Sequence, residues 1–320
     1  TPFVLGALSI LSFHPFNLTF LNFIIFPLFF YLTFYIKKKS KITYRKKPYK
    51  KNFFLFGLLF GFGFYLAGIS WITNSLTFDE NFKILIPFAF IIIPLALSLF
   101  LAFTILIVGP FLKFNVQSLL LFSLAIAISD YLRAKLFTGF PWNLWAYSTF
   151  EANEILQILN ILGLYSYNLL VITLFVSPII FFLKINKIKK FILLILLLTT
   201  IFSFYIFGNY KINNNNINLQ SIKNSVFVKI ISPNFDLEYD LSSEKIKERF
   251  NKLIRYSDPN NDKETLFIWP EGVFSGYSYN EILGYKNLIK KSFSEKHRII
   301  FGINKLDPIT GRYYNSMLLV

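Results

Sequence analysis

Between Pro2 and Phe207 the chain is a succession of apolar stretches, most of about the twenty residues that a helix needs to cross the ~30 Å hydrocarbon core of a bilayer. In order they are Pro2–Phe13, which is short, Leu18–Ile36, Phe53–Leu76, Ile84–Leu112, Val116–Leu136, Ile155–Leu183 and Phe191–Phe207. Within hydrocarbon every backbone amide must find its partner inside its own segment, so these stretches have to be helices. The sequence therefore predicts a polytopic α-helical membrane domain of about seven spans over residues 1–208. Composition agrees: 54% of residues are hydrophobic, 20% aromatic and only 16% charged, with a mean hydropathy of +0.52, well outside the range of soluble domains.

Charge then orients the spans. Lys37–Lys51 carries nine cations and no acid, which marks a cytoplasmic loop under the positive-inside rule. Counting onward, Asp79 and Glu80 fall outside, Lys113 inside, the Gly139–Ser148 loop outside, and Lys184, Lys187, Lys189 and Lys190 inside. Arg133 and Lys135 lie near the outer end of the fifth span, where snorkelling or pairing holds a cation; Asp130 stands three residues from Arg133, a spacing that pairs them on one helix face. Residues 1–208 hold 17 of the 33 Lys+Arg and 5 of the 17 Asp+Glu. Most of the net +16 thus belongs to membrane topology and does not indicate nucleic-acid binding. Everything after Gly208 is expected outside, on the same aqueous face as the Gly139–Ser148 loop. Gly57, Gly61, Gly63 and Gly68 in the third span fit small-residue helix packing.

The hydrophobic period changes after the polar linker Asn209–Asn224. Val226–Ile231 reads as a strand, Ser242–Tyr256 as an amphipathic helix capped by Ser242 or Ser243, and Thr265–Trp269 as a second strand. Tyr279–Phe293 is helical in pattern, His297–Ile303 a third strand, and Tyr313–Val320 the start of a fourth. This alternation is the signature of an α/β unit over residues 209–320. Trp269-Pro270-Glu271 follows the second strand, and strand ends are where ligand-facing side chains gather in open α/β sheets. Glu271, flanked by Ile268, Trp269, Pro270, Val273 and Phe274, has the surroundings that tune a carboxylate as a general base. A helix N-terminal charge or a plain surface residue fits the same spacing.

Cysteine is absent, so disulfides, thiolate metal sites and a cysteine nucleophile are excluded within these residues. His14 and His297 stand far apart and no ligand cluster is visible, so no metal and no cofactor is expected. The chain opens at Thr1, its sole methionine is Met317, and it stops within an apparent strand; both ends read as cut. No cleavable signal peptide is evident.

Several motifs together resemble the bacterial apolipoprotein N-acyltransferases. They are Phe13-His14-Pro15-Phe16, Gly61-Phe62-Gly63-Phe64 with Gly68-Ile69-Ser70-Trp71, Leu132-Arg133 followed by Thr138-Gly139-Phe140-Pro141-Trp142 and Tyr147-Ser148, Ile268-Trp269-Pro270-Glu271, and Tyr313-Tyr314-Asn315-Ser316. The resemblance implies a membrane base carrying an extracytoplasmic nitrilase-like domain, a four-layer αββα sandwich of which residues 209–320 form the N-terminal part, and then one more span. It implies a Glu-Lys-Cys triad in which Glu271 is the base and the Lys and Cys follow the Tyr-Asn-Ser strand, beyond Val320. The implied activity is transfer of a phospholipid acyl chain, through a thioester, to the α-amine of a diacylglyceryl-cysteine on an apolipoprotein, in the inner membrane. Its partners are accordingly the phospholipid donor, the diacylglyceryl-apolipoprotein and membrane lipids. Trp142 and Phe78 fall where the family's aromatic groups contact acyl chains, although an interfacial aromatic belt places them equally well. Tyr239 matches a position where the family often has Trp. Two other functions fit parts of this pattern: another membrane-tethered nitrilase-type amidase or acyltransferase, and a transporter with a soluble cap. The transporter predicts ionisable residues in mid-span, and the acids and bases here sit at span ends.

Overall fold

The computed structural model describes residues 1–43, 49–137, 139–220, 226–236, 238, 241–274 and 276–320. It divides into two compact units, Thr1–Ile217 and Asn218–Val320.

The first unit is built from α1 (Pro2–Ser9), α2 (Asn22–Thr43), α3 (Tyr49–Ile69), α4 (Ile86–Val108), α5 (Val116–Lys135), the single turn α6 (Asn153–Leu156), α7 (Leu159–Val176) and α8 (Lys187–Gln220). Among the described residues, six helical stretches, counting flanking 3-10 turns, are long and apolar enough to cross a membrane: Thr19–Lys39, Tyr49–Thr77, Glu80–Phe111, Val116–Lys135, Leu159–Phe182 and Lys187–Asn215. The first expected span differs, because Pro2–Ser12 is apolar but shorter; at 1.5 Å per residue, α1 rises only about 12 Å. Proline opens α1 and α4 near their first turns, where its missing N–H costs nothing. Asn115 caps α5, its side chain accepting from the Ser118 N–H.

Close helix approach explains the glycines of α3. A Cβ on Gly63 would collide with the Phe3 carbonyl of α1, and one on Gly57 or Gly61 would press on Leu101 and Ala102 or on Ser98 of α4. Backbones can approach this closely only where the side chain is absent. Behind that seam lies an aromatic core in which Phe29 stacks on Phe60 at 3.9 Å and Phe64 on Trp145 at 4.5 Å.

α8 runs on past Gly208 to Gln220, so residues 209–220, three quarters of the expected polar linker, are helical. Asn is a weak helix former but not a breaker, and nothing between Asn209 and Gln220 is Gly or Pro.

The second unit is a four-stranded sheet in the order β1 (Phe227–Ile230), β2 (Thr265–Ile268), β3 (His297–Leu306) and β4 (Tyr313–Leu319). β1, β2 and β3 are parallel and β4 is antiparallel to β3. α9 (Ser243–Ser257) makes the first crossover. Ser242 caps it, accepting from the Lys245 N–H, and Ile246, Arg249, Phe250 and Leu253 form its buried stripe. The second crossover is not the continuous helix that its pattern predicts. It breaks into α10 (Tyr279–Ile282), a 3-10 turn containing Gly284, and α11 (Lys286–Ser292). A Ser278–Glu281 capping box starts α10, and the Ser278 hydroxyl and N–H hold the Glu281 carboxyl below the usual carboxylate range.

The helices cover one face of the sheet, burying Phe267, Ile299, Phe301 and Ile303 with Phe250, Trp269, Phe274 and Ile289. Since side chains alternate along a strand, the register puts Ile230, Ile268, Ile300 and Leu319 in one row on the other face. Ile230 is 74% and Leu319 59% exposed.

Candidate active site

Glu271 sits just past the carboxyl end of β2, in the turn that follows Trp269 and Pro270. Trp269 is buried under α9 and its indole N–H donates to the Ser257 hydroxyl at 3.0 Å. Gly272 follows with a φ of +75°, a conformation glycine adopts without strain, and Val273 and Phe274 return to the core. The turn is thus anchored on both sides of Glu271 while the carboxylate itself is exposed. Of its apolar neighbours in sequence, Trp269, Val273 and Phe274 are buried in the core, and Ile268 belongs to the row on the sheet face opposite that core, so they do not enclose the carboxylate.

Two further residues fix the carboxylate. Asn315 of β4 donates its side-chain N–H to Glu271 Oε1 at 2.5 Å. A Cβ on Gly302 of β3 would stand 3.0 Å from Glu271 Cγ, so a side chain there would press on the carboxylate's stem. By register Gly302 and Asn315 share the sheet face away from the helices, and Glu271 lies over that face. Beside it opens a cleft of about 240 Å³ between the segment after β1 and the turn after β2, lined by Asn234, Phe235, Asp236, Arg249, Glu271 and Val273 among others. An exposed, oriented carboxylate at the rim of a cleft can accept a proton from a group brought to it.

In the first unit the Gly139–Ser148 loop is held from beneath by a buried polar network. Arg133 pairs with Asp130 at 3.2 Å and donates to the carbonyls of Phe140, at 2.5 Å, and Trp142, at 2.8 Å. Asp130 also accepts from Asn168 at 2.9 Å, and Asn168 in turn accepts from the Ala146 N–H at 2.9 Å. The Arg133 guanidinium lies over the Tyr65 ring at 5.3 Å. The pairing expected of Asp130 and Arg133 is therefore present, and it is buried.

Trp142, carried by this loop, is half exposed and its ring lies 5.2 Å from that of Trp71. Phe78, at the end of the 3-10 run Ser70–Thr77, is exposed and makes no ring contact among the described residues. Tyr239 lies outside the described residues. Glu271 belongs to the second unit and Trp142 and Phe78 to the first. Sequence reading assigned no role to Gly302, Asn168 or Arg249. Asn315 was visible as the centre of Tyr-Asn-Ser, but its pairing with Glu271 depends on β4 folding back antiparallel.

This arrangement defines a polytopic α-helical membrane protein with an α/β unit that presents a carboxylate at a strand end. The profile described as "Apolipoprotein N-acyltransferase N-terminal domain" matches residues 5–177. The chain belongs to the apolipoprotein N-acyltransferase family. Among named relatives, the apolipoprotein N-acyltransferase of Rhodopseudomonas palustris is 28% identical over 280 residues, covering 84% of this chain and 50% of that protein. That of Rickettsia typhi is 29% identical over 271 residues, covering 84% and 51%. That of Bradyrhizobium diazoefficiens is 32% identical over 174 residues, covering 54% and 31%. The chain spans about half the length of the Rhodopseudomonas palustris and Rickettsia typhi relatives.

Proposed function

We propose that this chain is part of an apolipoprotein N-acyltransferase of the bacterial inner membrane, with Glu271 as the base of its acyl-transfer site. The observation that carries the reading is the Glu271 carboxylate, exposed at a strand end, oriented by Asn315 and bordering a cleft, in a chain of this family.

Glu271 takes the proton of a cysteine thiol, and the thiolate attacks the ester carbonyl of a phospholipid. The C–S bond forms as the ester C–O bond breaks, and the proton passes to the departing lysophospholipid alkoxide. A lysine steadies the oxyanion of each tetrahedral intermediate. The free amine of a diacylglyceryl-cysteine then attacks the thioester, an amide forms, and the sulfur recovers its proton. These 320 residues contain no cysteine, so in this mechanism the thiol is supplied from outside them, and the family resemblance assigns the lysine there as well. The apolar row Ile230, Ile268, Ile300 and Leu319 suits a second sheet packing on the first, as in an αββα sandwich. Trp142, Phe78 and Tyr239 are assigned to lipid contact, with α1 as a seventh apolar element beside the six long spans.

Incubation of the purified 320-residue chain with phospholipid should leave its mass unchanged, whereas the complete gene product should gain one acyl chain that hydroxylamine removes. An acyl adduct on the 320-residue chain, or none on the complete product, would overturn the thioester mechanism.

The reading also puts residues 209–320 on the outer side of the membrane, because the basic loops place an odd number of crossings before them. Reporter fusions at Ser40 and Asn213 should report opposite compartments; a shared compartment would contradict this topology.

A further inference from the structure

We propose that Arg249 is a positioning residue for Glu271, holding in mutual register the two loops that form the cleft beside that carboxylate. The proposal rests on the reading of Glu271 as the base.

Arg249 belongs to the buried stripe of α9, and its side chain is only 9% exposed. One guanidinium nitrogen donates to the Val273 carbonyl at 3.0 Å, two residues beyond Glu271. The other donates to the Asp236 carbonyl at 2.9 Å, in the segment after β1. The same guanidinium lies over the Phe235 ring at 4.7 Å. One planar group thus joins the two walls of the cleft. Each wall carries a left-handed residue, Asn234 with φ +48° and Gly272 with φ +75°, so neither is a regular strand end that would hold its shape through sheet bonding alone.

Stability is a poor reason for a cation at this position. Among the described residues the nearest carboxylate oxygen, on Glu238, is 3.9 Å away and belongs to a side chain that is 38% exposed. Desolvating a guanidinium is costly, and apolar residues of similar volume often do as well or better in place of buried charges. What an apolar residue cannot do is bridge two carbonyls on separate loops. Lysine cannot do so in the same way either, because its ammonium is a compact point charge without the fixed fork of donors.

The test compares Arg249→Lys and Arg249→Met, alone and combined with Glu271→Gln, in the complete gene product. Single-turnover thioester formation and the thermal midpoint are measured on each. Displacing a catalytic group by about an ångström can cost on the order of 10²-fold in rate. Arg249→Lys is expected to slow acylation by about that factor while its midpoint stays near that of the parent. The combination with Glu271→Gln should be no slower than Glu271→Gln alone, since a residue acting through another contributes nothing once that group is gone. A parental rate in Arg249→Lys, losses that multiply in the double variant, or failure of both single variants to fold would overturn the proposal and leave Glu271 standing. A parental rate in Glu271→Gln would remove the base assignment itself, and this proposal with it.

Discussion

Arg133→Met is expected to destabilise the membrane unit by about 3–5 kcal/mol, the cost of removing one partner from a buried ion pair and leaving the other charge uncompensated. Arg133 is fully buried, and its loss strands Asp130 together with the carbonyls of Phe140 and Trp142. Each orphaned acceptor adds to the cost. Asp130 keeps the Asn168 amide, so the network is weakened and not erased. The double variant Asp130→Leu, Arg133→Met should recover part of the loss, because no lone charge then remains. The loop should also loosen, and protease cleavage within Gly139–Ser148 should rise in Arg133→Met before global unfolding. Thermal unfolding in detergent micelles gives the first quantity. A loss below about 1 kcal/mol, the range of exposed pairs, would mean that the loop is held by other contacts.

How much of this was legible in the sequence depended on the range of the interaction. The apolar stretches, the Ser242 cap and the strand–helix alternation are written in local pattern; α9 at Ser243–Ser257 and β2 at Thr265–Ile268 formed within a residue of expectation, whereas the helices of the first unit depart from their apolar stretches by a turn or more at several ends, as α3 does at Tyr49 and α8 at Gln220. The i,i+3 spacing of Asp130 and Arg133 was likewise readable as a pair. Its deeper role was not, because Arg133 spends its other donors on main-chain carbonyls, and those carry no residue signature. The continuation of α8 through Asn213–Asn216 escaped notice because a polar composition was read as a linker although it contains no helix breaker. The break between α10 and α11 is a small local event at Gly284, too short to disturb the helical period. At the site, Glu271 stood out by its place after a strand. Its fixation by Asn315 and Gly302 could not be read, since β4 must fold back antiparallel on β3 to bring Asn315 to a carboxylate 44 residues earlier in the chain.

Glu271→Gln should abolish most thioester formation while leaving the fold intact. The two side chains are nearly isosteric, and the amide can still meet Asn315 through its oxygen. It cannot take up a thiol proton. General base catalysis contributes typically about 10²–10⁴-fold, and the loss should appear in the acylation step itself, not only in phospholipid affinity. A charge that merely sat near a helix start would instead change stability by roughly 0.3–1 kcal/mol and leave the rate alone. The decisive measurement is single-turnover acylation of the complete gene product by phospholipid, made on the parent and on Glu271→Gln together with their thermal midpoints. The account predicts a rate lowered by about 10²-fold or more at an unchanged midpoint; a near-parental rate would contradict it.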